Sequence, residues 1–256
     1  MDTSAYLARI GVSGPLSPDA QSLSKLHLAH LIAVPFENLD IHLGRAISLD
    51  AVLFFDKVVR RRRGGFCYEL NGLFAALLRQ LGFRVTLLSA QVAKATGTFT
   101  PEYSHLTLLV EFPGNQPRCL ADVGFGDSFR EPLLFDEPGE QGAAPFDNAR
   151  AYRLDRADGV TLLRREEDGI WKPQYRFSET PRRLEEFALM CRYQQTSPES
   201  PFTQRRVCSR ATRDGRITLA DLLLIVTASG ARTERTLEET EYRAALLEHF
   251  GIHLEA

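Results

Sequence analysis

Net charge, paired cysteines and long apolar runs are all scarce in this 256-residue chain, and each scarcity removes a class of protein. Lys and Arg total 31 against 33 Asp and Glu, a formal net charge of −2, so no global basic field recruits nucleic acid. The four cysteines, Cys67, Cys119, Cys191 and Cys208, have no C-x-x-C spacing, which argues against a metal knuckle or a disulfide framework. A reduced chain is the simpler expectation. The start, Met1-Asp2-Thr3-Ser4-Ala5-Tyr6, has an acid where a secretory signal needs basic residues, and no apolar h-region follows. The best apolar run, Leu222 to Ala228, falls far short of the ~20 residues of a membrane span. A cytoplasmic protein without a membrane partner is expected. What remains is an ordinary globular composition, 44% hydrophobic and 25% charged, long enough for one large core or two to three smaller ones.

The first third reads as helical. Ser17-Pro18-Asp19 has the form of an N-cap, a proline at N1 and an acid in the first turn, and Leu23, Leu26 and Ile32 continue the pattern to Pro35. A second helix is expected over Leu49 to Arg62, closed by Gly64-Gly65. A third carries Leu70, Leu73, Phe74, Leu77, Leu78 and Leu81 at helical spacing, with Gly82 where a C′ glycine belongs, so Cys67 falls in its first turn. From Phe83 the period changes. Arg84 to Val92, His105 to Phe112 and Arg118 to Val123 read as strands, and Asp158-Gly159 and Asp168-Gly169 as hairpin turns, which implies a sheet or small barrel. Thr180-Pro181 is expected to cap a helix through Met190, and Ser197 to Pro201 to form a boundary loop. In the last segment Asp214-Gly215 separates two strand-like runs. A helix with capping-box spacing at Thr236 and Glu239 follows and ends at Gly251.

The most informative stretch is Arg63-Gly64-Gly65-Phe66-Cys67-Tyr68-Glu69-Leu70-Asn71. Two glycines let the backbone turn into the helix. The thiol then meets unpaired N–H groups and the positive end of the macrodipole, which favour a thiolate. The bland alternative is a small buried hydrophobe, the commoner fate of a lone cysteine. A nucleophilic thiol needs a base, and His105, opening an apolar strand beside the polar loop Pro101 to Ser104, is the best placed of the six histidines. Asp122, ahead of Val123-Gly124-Phe125-Gly126, could hold the imidazole tautomer, or serve as an Asx-type turn residue. Together the three make covalent acyl transfer reasonable. Gly124 to Gly126 does not satisfy G-x-G-x-x-G, since Phe129 stands at the third glycine position, so a Rossmann nucleotide site is unsupported. Arg60, Arg61 and Arg62 are best taken as a solvated helix end.

These motifs, with Val34-Pro35-Phe36-Glu37-Asn38-Leu39 before them and Ser197 to Phe202 and Leu247 to Ile252 after, resemble the arylamine N-acetyltransferase family in order and spacing, over nearly the whole chain. The R-G-G-x-C-x-E-x-N run is the specific element. The resemblance implies an α+β fold: a helical bundle carrying the cysteine (1–83), a middle antiparallel β-barrel carrying His105 and Asp122 (84–190), and a C-terminal α/β lid (191–256), on a papain- and transglutaminase-like core. It implies acetyl-CoA as acyl donor, no metal, and an arylamine, hydrazine or hydrazide acceptor, joined by a ping-pong route through a thioester on Cys67. By the same likeness Phe36, Val92 and Phe125 line the acceptor pocket, while Ser104, Gly124, Gly126 and Phe202 lie near the CoA pantetheine or the cleft mouth. It also pairs Arg63 with Glu37. Backbone N–H groups near Cys67 are expected to hold the oxyanion. An amide synthase or malonyl transferase with the same triad, a silent binding protein and a cysteine protease are the competing readings.

Overall fold

The computed structural model describes residues 1–114, 116–142 and 150–254. Helix α1, Thr3–Arg9, is capped by the Asp2 side chain, and α2, Ala20–Ala33, by Asp19, whose Oδ1 accepts from Ser22 N at 2.8 Å. The cap falls two residues later than Ser17 because Asp19 N bonds Ser17 O in a tight turn that holds Pro18 outside the helix. The strand β1, Phe36–Glu37, and the short α3, Leu39–His42, follow. The expected helix from Leu49 to Arg62 divides in two: α4, Ala51–Phe55, and a π turn over Asp56–Arg60. The wider turn lets the consecutive Lys57, Val58 and Val59 all face inward, which a regular helical turn spreads around its cylinder. Helix α5, Cys67–Gln80, is enclosed over most of its length, and Gly82 follows it at φ +91°, the left-handed C′ position.

Seven antiparallel strands come next: β2 (Arg84–Val92), β3 (His105–Glu111), β4 (Cys119–Ala121), β5 (Leu133–Leu134), β6 (Tyr152–Ala157), β7 (Val160–Glu167) and β8 (Ile170–Arg182). They are ordered β5-β4-β3-β2-β8-β7-β6 and roll into a nearly closed barrel. Gln141 spans the gap between the end strands. Its backbone exchanges hydrogen bonds of 2.8 and 2.7 Å with Tyr152 while its side chain bonds both N and O of Leu134. Both expected Asp-Gly turns are present with positive φ at each residue, 52° and 74° at Asp158 and Gly159, the primed-turn geometry that matches strand twist. Thr180-Pro181 differs from expectation. It lies inside β8, where Pro181 pairs with Leu88, and the helix begins later, as a 3-10 turn over Leu184–Phe187 and then α6, Ala188–Thr196.

After α7, Pro201–Gln204, the strands β9 (Val207–Ala211), β10 (Gly215–Ala220), β11 (Leu223–Ala228) and β12 (Ala231–Thr236) form a second sheet, ordered β1-β9-β10-β11-β12. Its first strand is Phe36–Glu37, in register with Ser209 and Cys208, so the segment preceding the cysteine helix is stitched to the C-terminal sheet. Helix α8, Tyr242–Phe250, covers that sheet, with Leu246 and Phe250 buried beside Leu219 and Leu224. Thr236 is the last residue of β12 rather than a cap. The capping box is made by Glu238 and Glu241, and Gly251 ends α8 at φ +66°. Three apolar clusters result: one joining the N-terminal helices to the outer face of β2–β4, one inside the barrel, and one under α8.

Candidate active site

The approach to Cys67 explains its two glycines differently from the sequence expectation. Neither needs a positive φ. A Cβ on Gly64 would sit 2.0 Å from Pro35 O, and one on Gly65 2.7 Å from Glu69 Oε2. The chain must pass this close because Glu37 N donates to Gly65 O at 2.8 Å, pinning the Phe36–Glu37 segment beside the loop that feeds α5. Cys67 then occupies the first helical position, 3% exposed. Burial pushes its thiol well above the ordinary range. N–H donation from Leu106 and Tyr68 opposes that rise, and the nearby Asp122 charge adds to it. The helix start alone therefore does not make a thiolate, and ionisation calls for a neighbour that takes the proton.

His105, the first residue of β3, and Asp122, one residue beyond the last β3–β4 pair, Leu108 and Ala121, come together with Nε2 and Oδ2 at 2.6 Å. A carboxylate accepts, so Nε2 carries the hydrogen and Nδ1 is the ring nitrogen left to take a proton. Asp122 is fully buried. Its Oδ1 accepts from Asn71 Nδ2 at 2.8 Å and Gly124 N at 3.0 Å, and its Oδ2 also from Tyr175 Oη at 3.0 Å. Burial pushes this carboxyl up, but His105 and these donors outweigh it and hold the group below its usual value. The Gly124 bond is an Asx turn, so Asp122 makes the turn contact weighed from the sequence as well as the bond to His105. Gly124 itself packs so close that a Cβ would stand 2.8 Å from Cys67 Cα, which is how the Asp122 loop reaches the helix start.

Cys67 and His105 line one cavity of about 400 Å³, whose walls include Phe36, Val92, Phe125 and Phe202. The Phe125 ring meets His105 edge-on at 5.1 Å and Tyr175 at 5.0 Å. Ser104 and Gly124 reach the same cavity, with the Ser104 hydroxyl donating to Pro101 O at 2.6 Å. Gly126 does not. It lines a neighbouring cavity of about 350 Å³ on the C-terminal sheet, which shares Phe36, Phe125 and Val207 with the first. Met190, Tyr193 and Gln194 of α6 also line the thiol cavity, and nothing in their local spacing marks them. Among the described residues no group of His, Cys, Asp and Glu could hold a metal, and no helix is long and apolar enough to cross a membrane.

The sequence also gave no warning of Lys57. Turned inward by the π turn, its Nζ lies 2.8 Å from Asp40 Oδ2, 2.9 Å from Glu69 Oε1 and 3.8 Å from Glu37 Oε1. Arg63 completes the group, with Nη2 2.8 Å from Glu37 Oε1 and 3.1 Å from Asp40 Oδ1, as the expected Arg63–Glu37 pair requires. Glu69 closes it onto the cysteine turn, its Oε2 accepting from Phe66 N at 3.1 Å. Burial, helped by Glu37 and opposed by Lys57, pushes Glu69 up to about 7.

Residues 19–256 match a family model described as N-acetyltransferase. The chain is 36% identical to the arylamine N-acetyltransferase of Mycolicibacterium smegmatis, covering 99% of this chain and 93% of that protein. It is 33% identical to human arylamine N-acetyltransferase 1, covering 100% and 95% respectively. The solved structure of Mycobacterium marinum arylamine N-acetyltransferase in complex with CoA superposes with a TM-score of 0.88 at 33% identity, covering 98% of this chain and 93% of that one.

Proposed function

The chain belongs to the arylamine N-acetyltransferase family, and from that membership we propose that it transfers an acetyl group from acetyl-CoA to the amino nitrogen of an arylamine, hydrazine or hydrazide through a thioester on Cys67. The observation that carries this reading is the 2.6 Å bond from His105 Nε2 to Asp122 Oδ2 in the wall of the cavity that Cys67 also lines. The Cys67 proton passes to His105 Nδ1 and the thiolate attacks the thioester carbonyl. The tetrahedral adduct collapses with loss of the CoA thiolate, which takes the proton back from His105. The amine then attacks the acetyl-Cys67 carbonyl and gives its proton to His105 as the amide forms, and the expelled Cys67 thiolate takes that proton back, which restores the starting enzyme. Asp122 holds the ring in the tautomer this needs and stabilises its charged form.

The flat apolar acceptor is assigned to Phe36, Val92 and Phe125, aromatic and aliphatic walls beside the thiol. The donor arm is assigned to Ser104, Gly124 and Phe202 in the thiol cavity and to Gly126 in the neighbouring one. We assign the three stretches 1–83, 84–190 and 191–256 to cysteine bundle, barrel and lid, and the reaction to the cytoplasm, in keeping with the free thiols of Cys67, Cys119, Cys191 and Cys208. Intact-protein mass spectrometry after mixing with a panel of acyl-CoAs tests the proposal. One acetyl group should appear on Cys67 and none on Cys67→Ser, with transfer to an arylamine on its addition. Stoichiometric labelling of Cys119 or Cys208 instead would end it.

A further inference from the structure

The β3–β4 ladder stops at Ala121, and the next amide, Asp122 N–H, leaves the sheet. It does not go to water. It donates to Nε2 of His27, 3.1 Å away on α2, while His27 Nδ1 lies 2.8 Å from Arg130 O. A carbonyl oxygen only accepts, so Nδ1 carries the hydrogen, and Nε2 turns its lone pair to the Asp122 amide. Both bonds require a neutral imidazole. The ring is fully buried, stacked on Phe129 at 5.7 Å with 6° between planes and edge-on to Phe74 at 6.1 Å, so it has one orientation. The Asp122 backbone is thus gripped on both sides, its own N–H by His27 and the following Val123 N–H by Asn71 Oδ1 at 2.9 Å.

We infer that His27 is a positioning residue for acetyl transfer: through the Asp122 backbone it sets the point from which the carboxylate reaches His105. This rests on the reading that Asp122 orients His105 for chemistry at Cys67. Side-chain bonds to Asp122 set where the carboxylate points, but a shift at its main chain moves the whole group, and misplacement by ~1 Å can cost ~10²-fold in rate. His30, one turn further along α2, supplies the matched control. It is equally buried, edge-on to Phe74 at 5.5 Å, and its Nδ1 pairs with Tyr6 Oη at 2.8 Å, away from Asp122.

The test compares His27→Leu, His27→Asn, His27→Gln and His30→Leu by stopped-flow acetylation from acetyl-CoA, with steady-state KM values and thermal melts. His27→Asn keeps a donor for Arg130 O but stops short of Asp122 N–H, whereas the longer Gln side chain keeps an acceptor there. We expect His27→Leu and His27→Asn to acetylate ~10- to 100-fold more slowly with KM values within about twofold of wild type. His27→Gln should recover most of the rate, and His30→Leu should lose stability but not acetylation rate. A folded His27→Leu or His27→Asn at wild-type rate, or equal losses in the His27 and His30 variants, overturns the inference. Cys67→Ser runs beside them. If it takes up acetyl, the route through the thiol fails and the positioning role falls with it. If it takes up none while a folded His27→Asn runs normally, only the positioning role falls.

Discussion

Two buried polar clusters grip the first turn of α5, and they are built from different materials. Glu69 and Asn71, two residues apart on the helix, point in nearly opposite directions. On the Asn71 side one carboxylate, Asp122, is surrounded by groups with no fixed charge: His105, Tyr175, the Asn71 amide and the Gly124 N–H. On the Glu69 side three carboxylates, Glu37, Asp40 and Glu69, share two cations, Lys57 and Arg63. The contrast fits the roles proposed for the two sides. A site that moves a proton needs one group free to gain and lose charge, and fixed neighbouring charges would set that group permanently one way. A fastening has no such need, and ion pairs among buried groups join α3, the π turn and α5 through side chains that cannot be separated cheaply.

The largest expected effect lies on the Asn71 side. Asp122→Asn keeps the shape but takes away the charge and invites the wrong His105 tautomer, and turnover should fall by ~10⁴, the precedent of a serine triad. Circular dichroism must accompany the kinetics, since the carboxylate is buried and paired. A folded Asp122→Asn enzyme at near-normal rate would reduce Asp122 to its Asx turn and erase the distinction between the clusters.

The second test moves to the Glu69 side. Lys57→Met leaves the three carboxylates with Arg63 alone, and removing one partner of a buried pair costs about 3–5 kcal/mol of stability. Denaturant unfolding should register that loss, while the acetylation rate of the protein that remains folded should fall far less than in Asp122→Asn. If Lys57→Met were fully stable yet inactive, the Lys57 cluster would belong to the chemistry and the comparison would be wrong.

A third test concerns Phe125, whose ring leans on both His105 and Tyr175. Phe125→Ala should weaken aromatic acceptors about tenfold, because aromatic contacts are worth about 0.5–1.5 kcal/mol beyond area burial and 1.4 kcal/mol is a factor of ten. Stopped-flow measurement of each half reaction should show acetylation of Cys67 slowed less than transfer to an arylamine. Equal slowing would make Phe125 a donor-side or scaffold residue.

What could be read in the sequence divides along a physical line. The cysteine helix, the Asp-Gly hairpins and the Gly82 and Gly251 stops all rest on contacts within a few residues, so local spacing sufficed. Thr180-Pro181 and Thr236 misled because each has the local chemistry of a helix start, and only pairing with β2 and β11 shows them to be strand. Lys57 sits between Phe54, Phe55, Val58 and Val59, where a lysine suggests the wet side of a helix. A π turn, invisible to a 3.6-residue period, brings it inside. Nothing local separates His27 from His30 on α2, since the difference between them is a bond to an amide ninety-five residues away.

The smallest effect is the most direct probe of the excess carboxylate on the Glu69 side. With three acids and two bases the cluster carries one carboxyl in excess, and burial pushes Glu69 from 4.5 up to about 7. Its native form therefore keeps a proton between about pH 4.5 and 7 that the unfolded chain has released. The resulting stability is fully present below about pH 4.5 and is lost as pH rises through about 7. Asp40 and Asp122, held below 3.8, act in a lower window, their contribution lost only as pH falls beneath it. His27 and His30, pushed down from 6.5 chiefly by burial, pull against Glu69 in the same window. The readout is thus the difference between wild type and Glu69→Gln, which share those histidines. From pH 5 to 7 the wild type should lose on the order of 1–2 kcal/mol of unfolding free energy relative to Glu69→Gln, at about 1.4 kcal/mol per pKa unit. Parallel curves would mean that Glu69 is ionised throughout, and that Lys57 and Arg63 carry all three carboxylates as charges.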